Sequence, residues 1–154
     1  MAKDKTTRAI TYAWRLFNIR PRSEKELKER LLQKGFDRAS ISGAVSFFKE
    51  KDIIDDLMFA RLWVESRMHA APKGDMLLRR ELREKGISDS IADKVLSEKE
   101  EKEEPVARGL AEKKLRTLKG MPEEKVKKKL FEYLARRGFK FDLIEEIVRD
   151  YAKR

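Results

Sequence analysis

Leucine followed four residues later by leucine, and four residues after that by glycine, occurs three times in this chain: Leu27-Leu31-Gly35, Leu78-Leu82-Gly86 and Leu130-Leu134-Gly138. Each glycine is followed by an apolar residue, Phe36, Ile87 or Phe139, and the glycines lie 51 and 52 residues apart. Leucines one helical turn apart make an apolar stripe, and a glycine after the last of them suits a left-handed C-cap. The pattern predicts three copies of one helical repeat.

The stretches around each copy supply two more helices. Lys5 to Asn18 carries Ile10, Ala13, Trp14 and Phe17 at one-face spacing, and Arg20-Pro21-Arg22 ends it. Ser23 and Glu26 form a capping box that opens the helix bearing Leu27, Leu31 and Leu32. After Gly35, Asp37 caps a helix that ends near Lys51 and presents Ile41, Ala44, Val45 and Phe48, with Phe36 and Ile41 as a staple. In the second copy Asp55 is the expected N-cap, Ile54 staples onto Phe59, and Phe59, Leu62 and Trp63 face inward. Capping is favoured over metal binding for Asp55-Asp56, since no His, Cys or third carboxylate lies at ligand spacing. Ser88 caps the helix of Ile91, Val95 and Leu96, which runs into the mixed-charge tract 97–104. Pro105 is expected as the first residue of the next helix, which offers Ala107, Ala111, Leu115 and Leu118. Leu130, Phe131 and Leu134, then Leu143, Ile144, Ile147, Val148 and Tyr151, complete the third copy. No useful length alternates with a period of two. The fold class is therefore all-α, with tandem three-helix repeats over 1–52, 53–104 (including a charged linker) and 105–154.

Composition narrows the function. Charged residues make up 43% of the 154, and the net charge of +10 is divided as +6 over 1–50, −1 over 51–100 and +5 over 101–154. Two basic ends around a neutral middle suit an elongated molecule that meets a polyanion. There is no cysteine and one histidine, His69, so neither a Cys-His nor a Ser-His-Asp set is available by sequence, and no Cys/His group has zinc spacing. No glycine-rich loop ends in Lys-Ser or Lys-Thr. A non-enzymatic chain without cofactor or metal is expected. Neither a membrane-length apolar run nor a signal-peptide core is present, which makes a cytoplasmic location the default.

The remaining chemistry is cationic. Arg79, Arg80 and Arg83 flank the Leu78/Leu82 stripe, with Lys73 and Lys85 at the helix ends. Lys125, Lys128 and Lys129 lie on the corresponding helix of the third copy, continued by Arg136 and Arg137. Such side chains meet phosphates or carboxylates without reading base sequence. For any one of them the favoured reading is a solvated residue balanced by Glu81, Glu84 or Glu132; the binding reading belongs to the cluster.

IIDDLMFARLWVESR followed by KGDMLLRRELREKGIS resembles the central signature of the RecX regulatory proteins. RPRSEKELKERLLQKGF and KVKKKLFEYLARRGFKFDLIEEI resemble that family's first and third repeats. The resemblance implies three-helix units strung into an elongated, curved all-α body. It further implies a monomer that lodges in the groove of the RecA recombinase filament on single-stranded DNA, lowering ATP hydrolysis, strand exchange and co-protease function, with weak DNA binding of its own. Arg61, Arg67, Lys73, Arg79 and Arg80 match the family's basic central surface, and Arg136 and Arg137 join them as candidate filament or DNA contacts. This chain departs from the family pattern where Ala70-Ala71-Pro72 precede Lys73-Gly74, and where Asp52-Ile53 occupy the turn before Asp55-Asp56. The alternative reading is a sequence-nonspecific nucleic-acid-binding helical protein.

Overall fold

The computed structural model describes residues 1–152. Nine helices are present among them, with no strand: α1 (Ala2–Ile19), α2 (Glu24–Lys34), α3 (Arg38–Glu50), α4 (Asp56–Ala70), α5 (Asp75–Glu84), α6 (Asp89–Glu98), α7 (Glu103–Thr117), α8 (Glu123–Arg136) and α9 (Phe141–Ala152). The all-α reading in three groups of three holds. Local signals set most boundaries. Ser23 and Glu26 form the capping box, Asp37 Oδ1 accepts from Ser40 N at 2.8 Å, and Asp55 Oδ1 accepts from Met58 N at 3.0 Å. Ser88 Oγ accepts from Ile91 N at 3.3 Å. Gly35, Gly86 and Gly138 all take positive φ, as their place after the leucine stripe requires. Asp52 also takes a left-handed conformation, at φ 55°, so the turn before α4 is made here without glycine.

The six repeat leucines are at most 1% exposed. In the first repeat they join Ala9, Ala13, Leu16, Ile41, Ala44, Val45 and Phe48, and α1, α2 and α3 pack on one another. In the third repeat, Leu130 and Leu134 cluster with Ala107, Leu110, Ala111, Phe139, Ile144 and Ile147, drawn from α7, α8 and α9 and the turn between the last two. The chain divides into two compact units, one comprising 1–63 with 82–92 and the other 64–81 with 93–152, so the middle repeat contributes to both.

Four expectations are corrected. The stripe of α1 is centred on Ala9, Ala13 and Leu16, while Trp14 is 39% exposed and meets Phe47 and Phe48 edge-on. Leu32 is 63% exposed, because Leu27 and Leu31 already define the inner face of α2 and the next residue is turned away by about 100°. Leu62 is 44% exposed; the buried positions of α4 are Ala60, Val64 and Met68, each one turn from the next, with Phe59 beside the first. Pro105 is the third residue of α7, not the first, and Glu103 and Glu104 precede it. Proline is still compatible there, since first-turn amides have no intrahelical acceptor.

Candidate cationic interface

The central cations fall into pairs. Glu81 on α5 is half-buried and takes two of them: Arg67 Nε lies 3.3 Å from its Oε2, and Lys73 Nζ donates to its Oε1 at 2.8 Å. Arg79 is bonded to Asp93, and Arg83 to Asp89 at 3.2 Å. Arg61 and Arg80 are exposed. The sequence-predicted central group is thus neutralised in part by acids on its own and neighbouring helices. Lys99, nearly buried, pairs with Asp75 at the start of α5, and Glu103 accepts from Asp75 N at 3.0 Å.

Lys85 is committed to the first compact unit. Its Nζ donates to Glu26 Oε1 at 2.7 Å, and Arg20 grips the same carboxylate with two bonds of 3.0 and 3.1 Å. Burial works against the charge on Glu26, which is only 8% exposed, but the hydrogen bonds and charges of Arg20 and Lys85 outweigh it and hold the pKa below the ordinary glutamate value. Asp56 behaves in the opposite way. Burial, with the charges of Glu24 and Asp55, raises its pKa although Glu24 N donates to it at 3.0 Å.

A second role of the cations was not foreseen from sequence. The residue immediately before each repeat glycine is basic, and each lies over an aromatic ring: Lys34 over Tyr12 at 5.5 Å, Lys85 over Trp63 at 5.0 Å and Arg137 over Tyr133 at 5.3 Å. A cation at a helix C-terminus is favoured by the dipole, and the ring adds about 0.5–1 kcal/mol at exposed sites. The readable signal was the recurrence of Lys or Arg at that position.

The third repeat keeps more charge available. Lys125, Lys128, Lys129 and Arg136 on α8 are exposed and form no ion pair among the described residues, whereas Lys127 is paired with Glu123 at 2.8 Å. No group of three or more His, Cys, Asp or Glu could hold a metal ion among the described residues, and His69 is exposed. No helix among them is long and apolar enough to cross a membrane. A shallow groove of about 470 Å³ runs between α2 and α3, with Leu32, Ile41 and Val45 among its lining residues.

The same contacts recur from repeat to repeat. Ser23 Oγ donates to the Lys85 carbonyl at 2.7 Å, and Gly74 N, at the equivalent place in the next copy, donates to the Arg137 carbonyl at 2.7 Å. These features define a class: a tandem array of three-helix domains in which successive domains repeat one junction and carry exposed cationic helices. Family models match all three domains in order, the first RecX three-helix domain at residues 9–48, the second at 55–96 and the third at 102–148. The chain belongs to the RecX family. It is 38% identical over 149 residues to the regulatory protein RecX of Chlorobaculum tepidum, covering 97% of this chain and 91% of that one. It is 33% identical over 148 residues to the RecX of Streptomyces coelicolor, covering 96% and 79%. The crystal structure of RecX from Lactobacillus salivarius superposes with a TM-score of 0.85 at 23% identity, over 96% of this chain and 97% of that chain, which agrees in fold.

Proposed function

We propose that this chain is a non-catalytic regulator that binds the RecA recombinase filament on single-stranded DNA and lowers its ATP hydrolysis, strand exchange and co-protease activity. The observation that carries the reading is family membership over all three domains, from residue 9 to residue 148. Tandem domains suit a polymeric target, since engaging one site raises the effective concentration of the next domain at a neighbouring site. Repeat boundaries at 1–52, 53–104 and 105–154, a monomeric state, a cytoplasmic location and weak binding to DNA alone belong to the same proposal.

The contact residues proposed are Arg61, Arg67, Lys73, Arg79, Arg80, Arg83, Lys85, Lys128, Lys129, Arg136 and Arg137. Their circumstances rank them. Lys128, Lys129 and Arg136 are exposed with no ion pair among the described residues, and so lose little on meeting a phosphate or carboxylate. Arg67, Lys73, Arg79 and Arg83 would have to share or exchange acidic partners. Lys85 and Arg137 already support the fold.

The test is a titration of this protein into the host recombinase turning over ATP on single-stranded DNA. Inhibition is expected by stoichiometric ratios; an unchanged ATPase rate there rejects the reading. The alternative, a general nucleic-acid binder, is supported by the exposed cations of α8. It predicts tight, steeply salt-dependent binding to naked DNA with no effect on the recombinase.

A further inference from the structure

Phe141, the first residue of α9, is 62% exposed while its ring is stacked on Phe131 of α8, centroids 5.8 Å apart and planes 18° from parallel. One face of the ring is therefore covered and the other is in solvent. Phe131 is partly buried and packs against the core of the third repeat, whereas Phe141 does not join that core. Counted from the repeat glycine, the position of Phe131 is held by Lys28 and Arg79 in the other copies, and that of Phe141 by Arg38 and Asp89. Two positions that are charged in the other copies are aromatic in the third, and one of the rings stays open to water at a hydrophobic cost.

The surroundings select the occupant. Lys128 lies one turn before Phe131 on α8, and Lys140 precedes Phe141; both are exposed, and neither forms an ion pair among the described residues. Lys125 and Arg136 extend the unpaired cations along α8, and the exposed acids around the two rings, Glu132, Asp142 and Glu145, are fewer than these four cations. An apolar protein partner would have to desolvate these charges or bring acids for each of them. A strand with unpaired bases satisfies both features together, because its phosphates meet the lysines and a base lies on the ring.

We propose that Phe141, backed by Phe131, is a stacking platform for an unpaired base of single-stranded nucleic acid, with Lys128 and Lys140 taking the flanking phosphates. The proposal rests on the reading that this protein works beside single-stranded DNA, and adds to it a contact with the bases themselves. Any base can stack there, so the platform carries no sequence preference.

Binding to oligo(dT), to oligo(U) and to an abasic deoxyribose-phosphate oligomer of equal length tests it. The three probes carry the same backbone charge, and only the first two have bases. The wild-type protein is expected to bind oligo(dT) about tenfold more tightly than the abasic oligomer. Phe141→Ala abolishes that preference and leaves abasic binding unchanged, and Phe141→Tyr restores it. Equal affinity of the wild-type protein for oligo(dT) and the abasic oligomer overturns the proposal, with no variant needed. So does a Phe141→Ala protein that keeps the base preference. Loss of recombinase inhibition in Phe141→Ala with oligomer binding intact also overturns it, and assigns the ring to a protein contact. A base preference in a wild-type protein that leaves the recombinase ATPase unchanged supports the platform while rejecting the filament reading.

Discussion

At the scale of the residue, Glu26 shows how a basic protein organises its own interior. The carboxylate lies at the start of α2, bonds back to Ser23 N as part of the capping box, and is held by Arg20 and Lys85. A buried carboxylate with its pKa depressed contributes stability that is complete above its unfolded-state pKa. That contribution is lost as the pH falls through the lower folded-state pKa. Glu26→Gln is therefore expected to destabilise the protein by about 2 kcal/mol at neutral pH. The difference from wild type should shrink to nothing under acid, below the ordinary glutamate range, in parallel urea titrations. A deficit that stays constant with pH would show that shape, and not charge, governs the site.

At the scale of the element, the helix-ending glycine has different duties in different copies. Gly35, Gly86 and Gly138 share a left-handed conformation. Nothing lies within 4 Å of where a Cβ on Gly35 would be. At Gly86 that atom would be 2.4 Å from Lys25 Cβ, and at Gly138 it would be 2.3 Å from Leu77 Cβ and 2.7 Å from Leu77 N. In the later copies α2 or α5 of the preceding repeat approaches the cap closely, and the hydrogen bonds from Ser23 and Gly74 to the neighbouring carbonyls close the junction. Gly35→Ala should cost about 1 kcal/mol, the penalty of the backbone conformation alone. Gly138→Ala should cost about 3 kcal/mol or more, as overpacking adds to it. Thermal unfolding of the two variants checks the order, and equal losses would mean that the junction yields freely.

For the whole molecule, the +10 charge is less informative than which charges remain unspent. Arg67, Lys73, Arg79, Arg83 and Lys85 are all tied to acids, whereas Lys128, Lys129 and Arg136 form no ion pair with any described residue. Replacing Lys128, Lys129 and Arg136 together by alanine should flatten the slope of log affinity against log salt for single-stranded DNA by about 2. Lys85→Ala should lower thermal stability and barely change that slope. Reversal of those two outcomes would move the proposed interface from the third repeat to the junction of the first two.

Periodicity alone carried the helical class, the triplication, the identity of the six buried leucines and the caps at Ser23, Asp37, Asp55 and Ser88, because each depends on residues within a turn or two of one another. The family was legible for the same reason: its signatures are short and ordered along the chain. The inner face of an element was less secure wherever several apolar residues competed, as at Trp14, Leu32 and Leu62, since only packing against other helices selects among them. Tertiary structure alone decided which cations are consumed, because the acids that take them can lie far along the chain: Glu26 takes Lys85, and Asp93 takes Arg79. It also decided that Phe131 and Phe141 stack with one ring open to solvent, on two helices whose relation no local pattern specifies.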